Sequence, residues 1–284
     1  MNKISLIEKS FTYFILTAIG LLLAAPFVYV ISMALSSDAT TAKLTFTFIP
    51  QEFHFENFTR VFSSDLNFSR FLINSLTLVT FSIIGQVMVS SMVAYAFARL
   101  RAPGKEIIFI ILLSTMMIPT EVTLIPQFIL FTKLGWINTM LPIIVPNFFG
   151  GAYNIFLLRQ FITRIPAELD EAAQIDGLNF FGIYVRIILP LIKPALVAVG
   201  IFTFVWNWGA FFGPLIYIND VEKMPLALGV QILSATNSAG QTPPWNLVMV
   251  GALVLTVPMI LVYFFGQRYM DQMSLAGGNA GIKS

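Results

Sequence analysis

The sequence predicts an all-α polytopic membrane protein, six transmembrane helices with a polar helix-turn-helix between the fourth and fifth. Three observations carry this. Of the 284 residues, 57% are hydrophobic and 11% charged, against about 25% charged in soluble domains, and mean hydropathy is +0.83. Apolar runs long enough to cross a hydrocarbon core of about 30 Å recur along the chain, while no ladder of alternating segments suggests a barrel. One sizeable polar, helix-forming block, Glu171-Ala-Ala-Gln-Ile-Asp-Gly177 followed by Ile187-Ile-Leu-Pro190, interrupts the apolar sequence.

Composition also removes chemistries. The absence of cysteine excludes disulfides, thiolate metal sites and a thiol nucleophile, and His54 is the single histidine; no metal site is expected. A net charge of +2, with basic residues spread along the chain, gives no support to nucleic-acid binding. The basic residues report topology instead.

Read in order, the 1–284 chain forms one transmembrane domain. A short polar start precedes an apolar run over residues 11–35, too long for a signal-peptide core and followed by further spans, so it reads as an uncleaved membrane helix. Residues 36–70 form a mixed polar and aromatic external loop. The second span, 71–97, ends in the basic turn Arg99 to Lys105, where Pro103 and Gly104 stop the helix. The third, 107–118, is interrupted by Pro119. Residues 119–140 read as an external re-entrant or surface helix with a second break at Pro126.

The fourth span, 141–158, is crossed by Pro142, Pro146 and Gly150-Gly151. Such breaks are tolerated where neighbouring helices or a cavity satisfy the freed backbone groups, and simple packing irregularity reads equally well. A polar loop, 159–190, leads to the fifth span, 191–218. An external loop, 219–244, precedes the sixth span, 245–265. Grouping the termini, the 99–106 turn and the 159–193 segment on one face collects Lys3, Lys9, Arg99, Arg101, Lys105, Arg159, Arg164, Arg186, Lys193, Arg268 and Lys283, eleven of sixteen basic residues. The positive-inside rule then makes both termini and the polar loop cytoplasmic.

Within that loop Pro166 and the carboxylates Glu168, Asp170 and Glu171 mark a helix start, and Gly177 is placed to cap its end. Ile165, Leu169, Ala172 and Ala173 share one face at three- and four-residue spacing. A second helix, about 179–189, leads through Pro190 into the fifth span. The pair reads either as a docking element tied to a membrane helix or as an amphipathic pair lying on the membrane.

The spacing Glu171-Ala172-Ala173, three residues, Gly177, nine residues, Ile187-x-Leu189-Pro190 resembles the EAA loop of permease subunits of bacterial ATP-binding-cassette importers. The resemblance extends to Ala94-Tyr-Ala-Phe-Ala-Arg-Leu-Arg101 with Pro103-Gly104-Lys105, to Met116-Met-Ile-Pro119, and to Phe202-Thr-Phe with Trp206-Asn-Trp208 through Pro214-Leu215. These look like the carbohydrate-uptake branch, the smaller six-span subunit of the maltose-permease type. Gly209 departs from the pattern, which leads one to expect an acidic residue there, and no polar role is carried over to it.

The resemblance implies a multi-pass protein of the bacterial inner membrane that moves a sugar, oligosaccharide or related polyol by alternating access. It implies a heterodimer with a second related permease, two cytoplasmic ATPase subunits and an extracytoplasmic substrate-binding protein, all working at the lipid bilayer. ATP and Mg belong to the partner ATPase, and this chain binds no cofactor of its own. That division suits the sequence, because Gly104-Lys105 is followed by Glu106 and lacks the glycine of a phosphate loop. Glu171, Ala172, Ala173, Asp176 and Gly177 are the expected coupling contacts, with Pro190 as the junction to the span.

Asn147, Asn154, Trp206, Asn207 and Trp208 are candidates for the substrate pathway, since rings stack on sugar faces and amides satisfy hydroxyls. Packing and interhelical bonding is the competing reading, and Gln86 and Ser90 are weaker candidates still. Glu121, beside Pro119, fits the external end of the third span better than a proton path. The rival class is a secondary transporter or channel working without an ATPase, which calls for paired intramembrane charges that this sequence does not display. A membrane-embedded enzyme lacks a His or Asp cluster within spans.

Overall fold

A computed structural model of the chain describes residues 6–42, 48–50, 52–63, 67–235 and 243–278. Lys3, Lys43 and Lys283, and residues 236–242 of the expected loop, lie outside the described residues. Those described are helical, with no strand among them. Four helices are long and apolar enough to cross a membrane, and six spans result if each of two bent helix pairs counts as one. The chain divides into two compact units, residues 1–68 with 229–256, and residues 69–228 with 257–284.

In the first unit α1 (Leu6–Ala34) contains Pro26, and its residues 7–24 are all exposed. Only where α1 ends, at Ser32, Met33 and Ala34, does it become buried. The expected 36–70 loop there folds as two short helices, α2 (Asp38–Ala42) and α3 (Glu56–Phe62). Buried amides hold them. Asn57 Nδ2 donates to Ala34 O and Ser36 O at 2.9 and 3.0 Å, and Asn246 Nδ2 donates to Asp38 Oδ1 at 2.7 Å. Arg60 grips the same carboxylate with both terminal nitrogens, at 3.3 and 3.0 Å.

The second unit is built on α4 (Phe68–Arg99). Its 32 residues span about 48 Å, longer than a hydrocarbon core of about 30 Å, so it projects beyond that core. Gly104, at φ 75°, turns the chain into α5 (Lys105–Ser114). A short 3₁₀ turn, Thr115–Met117, and Pro119 end this segment, and α6 (Thr120–Lys133) departs at 100°.

The expected break at Pro126 is not there. Pro126 lies inside α6, where it forfeits an amide bond and crowds the carbonyl four residues back, so the continuity of the helix rests on the packing around it. Packing of Phe131 on Trp136 and Tyr217, with ring centroids 5.5 and 5.4 Å apart, holds the far end of α6 in place.

The segment Leu141–Thr163 is broken where the sequence expects it. It comprises α7 (Leu141–Ile144), a 3₁₀ stretch Val145–Phe149, then Gly150 at φ 74° and α8 (Ala152–Thr163). The polar loop gives α9 (Glu168–Ile175), α10 (Phe180–Ile183), a π-helical turn Tyr184–Ile188 and α11 (Leu189–Leu191). A core of Ala94, Ile155, Leu158, Ile162, Ile188 and Val199, among others, joins these elements to α12 (Lys193–Trp208).

Three sequence expectations need correction. The fifth span does not run unbroken to residue 218: α12 stops at Trp208, Gly209 and Ala210 interrupt it, and α13 (Phe212–Tyr217) follows. Glycine's backbone entropy disfavours the helix at that point, a cost the apolarity of the run conceals. The 219–244 loop contains α14 (Leu226–Ala235), whose Leu226, Leu228 and Leu233 are buried. The last helix, α15 (Trp245–Gly278), continues well past residue 265.

Candidate functional site

The polar block folds as its local signals direct. α9 carries Glu168, Asp170 and Glu171 in its first turn, where the helix dipole favours negative charge. It closes with a Schellman motif: Leu178 N donates to Ala173 O at 2.9 Å and Gly177 N to Gln174 O at 3.0 Å, with Gly177 left-handed at φ 85°. Asn179 then caps α10, its side chain accepting from Gly182 N at 2.8 Å. The expected second helix is thus divided, and its π-helical turn Tyr184–Ile188 lies directly before Pro190.

α9 does not present the face that apolarity alone suggests. Ala173 is buried at 4% exposure with Asp170 at 8%, whereas Leu169, Ala172 and Ile175 point outward with Glu171, Asp176 and Gly177. Of the expected coupling residues, Ala173 is therefore part of the chain's own core. The reason is Arg99, whose Nε lies 2.9 Å from Asp170 Oδ2 and whose Nη2 donates to Ile165 O at 2.6 Å. That pair turns the 170/173 face inward. Removing one member of such a buried pair costs about 3–5 kcal/mol, because the other charge is stranded. Arg99 Nε and Asp170 Oδ1 are both buried without a hydrogen-bond partner, so the contact is an ion pair and the one hydrogen bond Arg99 makes to this block is to Ile165 O.

Two more ties run between α4 and this block. The Tyr95 hydroxyl donates to Phe180 O at 3.1 Å, and Ser91 Oγ and the Tyr184 hydroxyl are 2.7 Å apart. A cleft of about 630 Å³, lined by Arg99, Arg101, Ala167, Asp170, Glu171 and Gln174 among others, opens between the end of α4 and α9.

A second polar cluster lies at the break between α7 and α8. The Gln86 orientation that satisfies its surroundings donates to Asn147 O at 3.2 Å and accepts from Gly151 N at 2.7 Å and Asn154 Nδ2 at 2.6 Å. Asn147 Nδ2 donates to Ser82 Oγ at 3.2 Å and Ile143 O at 2.8 Å. Gln86 thus takes up backbone groups that the Gly150-Gly151 break frees. A Cβ at Gly151 would stand 2.5 Å from the Gln86 amide and would push that amide out of this cluster. Asn154 Oδ1 is buried without a partner.

Asn147 and Asn154 therefore meet, through Gln86. The residues of α12 behave otherwise. Asn207 bonds back to Thr203 O at 2.9 Å, Trp208 stacks on Phe204 with centroids 5.3 Å apart, and Trp206 is 80% exposed. Glu121 is exposed in the first turn of α6. Sequence reasoning missed Ser91, Tyr95 and Arg99 as a set. Their spacing of four residues, which places them on one face of α4, is the signal that finds them.

Broken membrane helices held by buried amides, with a capped polar helix pair fastened to them, define a transport protein of the polytopic membrane class. Residues 86–273 match the family described as the binding-protein-dependent transport system inner membrane component, and the chain belongs to that family. It is similar to an ABC transporter permease protein of Caldicellulosiruptor sp., with 31% identity over 95% of this chain and 96% of that one. It is also similar to the arabinooligosaccharides transport system permease protein of Bacillus subtilis, 30% identical over 88% and 87%. The polygalacturonan/rhamnogalacturonan transport system permease protein of the same organism is 27% identical over 95% and 96%. The fold matches a crystal structure of a bacterial ABC transporter that imports the acidic polysaccharide alginate, with TM-score 0.82, 24% identity and coverage of 95% and 99%. The chain is accordingly an importer's multi-pass permease component, a transport subunit rather than an enzyme.

Proposed function

We propose that this permease moves a carbohydrate, an oligosaccharide delivered by an extracytoplasmic binding protein, by alternating access, as one half of a heterodimer with a related permease. Two ATPase subunits, which bind ATP and Mg, dock at α9 from the cytoplasm, where both termini also lie. The single observation that carries this reading is the outer surface of α9: Glu171, Ala172, Ile175, Asp176 and Gly177 stand exposed around a capped helix end that is fastened to the spans behind it. A helix with carboxylates and small side chains outward, and with its other face committed to the core, fits a basic groove on a partner. The substrate class rests on relatives named for the transport of arabinooligosaccharides and of polygalacturonan/rhamnogalacturonan.

ATP binding on this reading closes the ATPase pair and moves α9 with the spans attached to it. The test is a ligand screen on the cognate binding protein, followed by uptake of the hit into vesicles holding the whole complex. Uptake that needs ATP and every subunit supports the proposal. Uptake by this chain alone, driven by an ion gradient, overturns it in favour of a secondary transporter.

A further inference from the structure

The polar helix pair has two routes into the membrane, and the geometry of each differs. Along the chain it passes through the π-helical turn Tyr184–Ile188, Pro190 and Ile192, and there the path bends by 78° into α12. Across space it is bonded directly to α4. Ser91 meets Tyr184, Tyr95 meets Phe180 O, and Arg99 meets Asp170 and Ile165 O. The α4 positions advance by one turn each while their partners run backward along the chain, so the two elements are zipped antiparallel over about 12 Å.

The outermost tie is a charge pair whose side chains are each 12% exposed, where salt screens little. The innermost joins two buried hydroxyls. About 20 Å further along α4 from Arg99, Gln86 holds Asn147, Gly151 and Asn154 at the helix break. One continuous helix therefore connects the polar pair to the broken span. A bent, π-wound connection is a less direct route for a displacement than side-chain ties at three positions of one continuous helix.

We propose that Arg99, Tyr95 and Ser91 are positioning residues that make the end of α4 part of the coupling element, so that a displacement of α9 reaches the Gln86 cluster through α4 and not through Pro190 alone. This rests on the reading that the ATPase docks on α9. The sequence pointed to a lever on the fifth span; the zipper moves its main arm to the second.

The whole transporter, reconstituted in vesicles, tests this through uptake per ATP hydrolysed. Arg99→Asp and Asp170→Arg singly lower that ratio about tenfold while the ATPase still co-purifies, and the joint exchange restores it to within about threefold of the parent. A ratio within twofold of the parent for both single variants overturns the proposal. So does a joint exchange that assembles with the ATPase but stays uncoupled, since the restored ion pair then fails to restore coupling. Where the reversals do not reach the membrane, Tyr95→Phe removes one hydroxyl and lowers the ratio two- to threefold, or leaves it unchanged and overturns the proposal. The docking reading fails separately, if complexes carrying Glu171→Lys with Asp176→Lys retain the ATPase and normal hydrolysis; that outcome takes the proposal with it.

Discussion

Gly85 and Phe148 approach so closely that a Cβ on Gly85 would stand 2.7 Å from the Phe148 ring. The contact seats the 3₁₀ stretch before the Gly150-Gly151 break against α4, one residue from Gln86. Atoms near the root of an aromatic ring have little freedom to retreat, so a side chain at position 85 displaces the whole stretch. Gly85→Val is expected to destabilise the protein by about 1–3 kcal/mol through overpacking, and Gly85→Val with Phe148→Ala to recover part of that loss. Thermal unfolding of the purified complex measures both. Additive losses in the double variant contradict the assigned contact.

Gly177 separates backbone strain from docking. A Cβ there meets nothing within 4 Å, yet φ of 85° costs an L-residue about 1–2 kcal/mol. Gly177→Ala and Gly177→Trp are therefore expected to lose similar stability, since neither side chain clashes within the chain. Retention of the ATPase on purification should distinguish them, with Trp shedding it and Ala largely keeping it. Equal retention by both variants removes Gly177 from the docking surface.

Most spans were legible because a run of apolar residues long enough to cross a bilayer needs no partner to be recognised. Pro119 and Gly150-Gly151 were legible as breaks for the same local reason. What stayed hidden depends on distant residues. Ala172 and Ala173 look equivalent in the sequence, yet they stand about 100° apart on a helix, and only Ala173 enters the core. The choice between them follows from Asp170 turning inward, against the ordinary rule for a carboxylate, because Arg99 lies there to meet it. Pro126 misled in the opposite way: a residue that breaks helices in isolation is carried by the packing of Phe131 beyond it.

Trp206 and Trp208 lie two residues apart on α12 and so on nearly opposite faces. Trp208 is 2% exposed and stacked on Phe204, while Trp206 is 80% exposed. Trp208→Ala is expected to cost about 3–5 kcal/mol by opening a cavity. Trp206→Ala should change stability by less than about 1 kcal/mol, as surface substitutions away from specific contacts do. Of the pair, only Trp206 is then available to a substrate or a partner permease. Measured stability losses of equal size for the two variants contradict this division.

Asp38 gives the first unit a pH dependence whose sign follows from its contacts. The Arg60 guanidinium bonded to it, aided by the Asn246 amide, holds the Asp38 carboxyl below its ordinary value of 3.8 against the opposing effect of burial. A carboxyl depressed in the folded state stabilises the fold at neutral pH, and that contribution fades as pH falls through the folded value. Its size is at most about 1 kcal/mol, since solvent screens an exposed pair, and the Asp38 side chain is 61% exposed. Asp38→Asn is accordingly less stable than the parent at pH 7, and the gap narrows as pH drops below 3.8. Glu56 is shifted in the same direction by its hydrogen bond with His54, so parent and variant must be compared at each pH, where that shared effect cancels. Thermal melts of the two complexes at neutral and acidic pH measure the gap, and a gap that widens on acidification contradicts the role assigned to the Asp38–Arg60 pair.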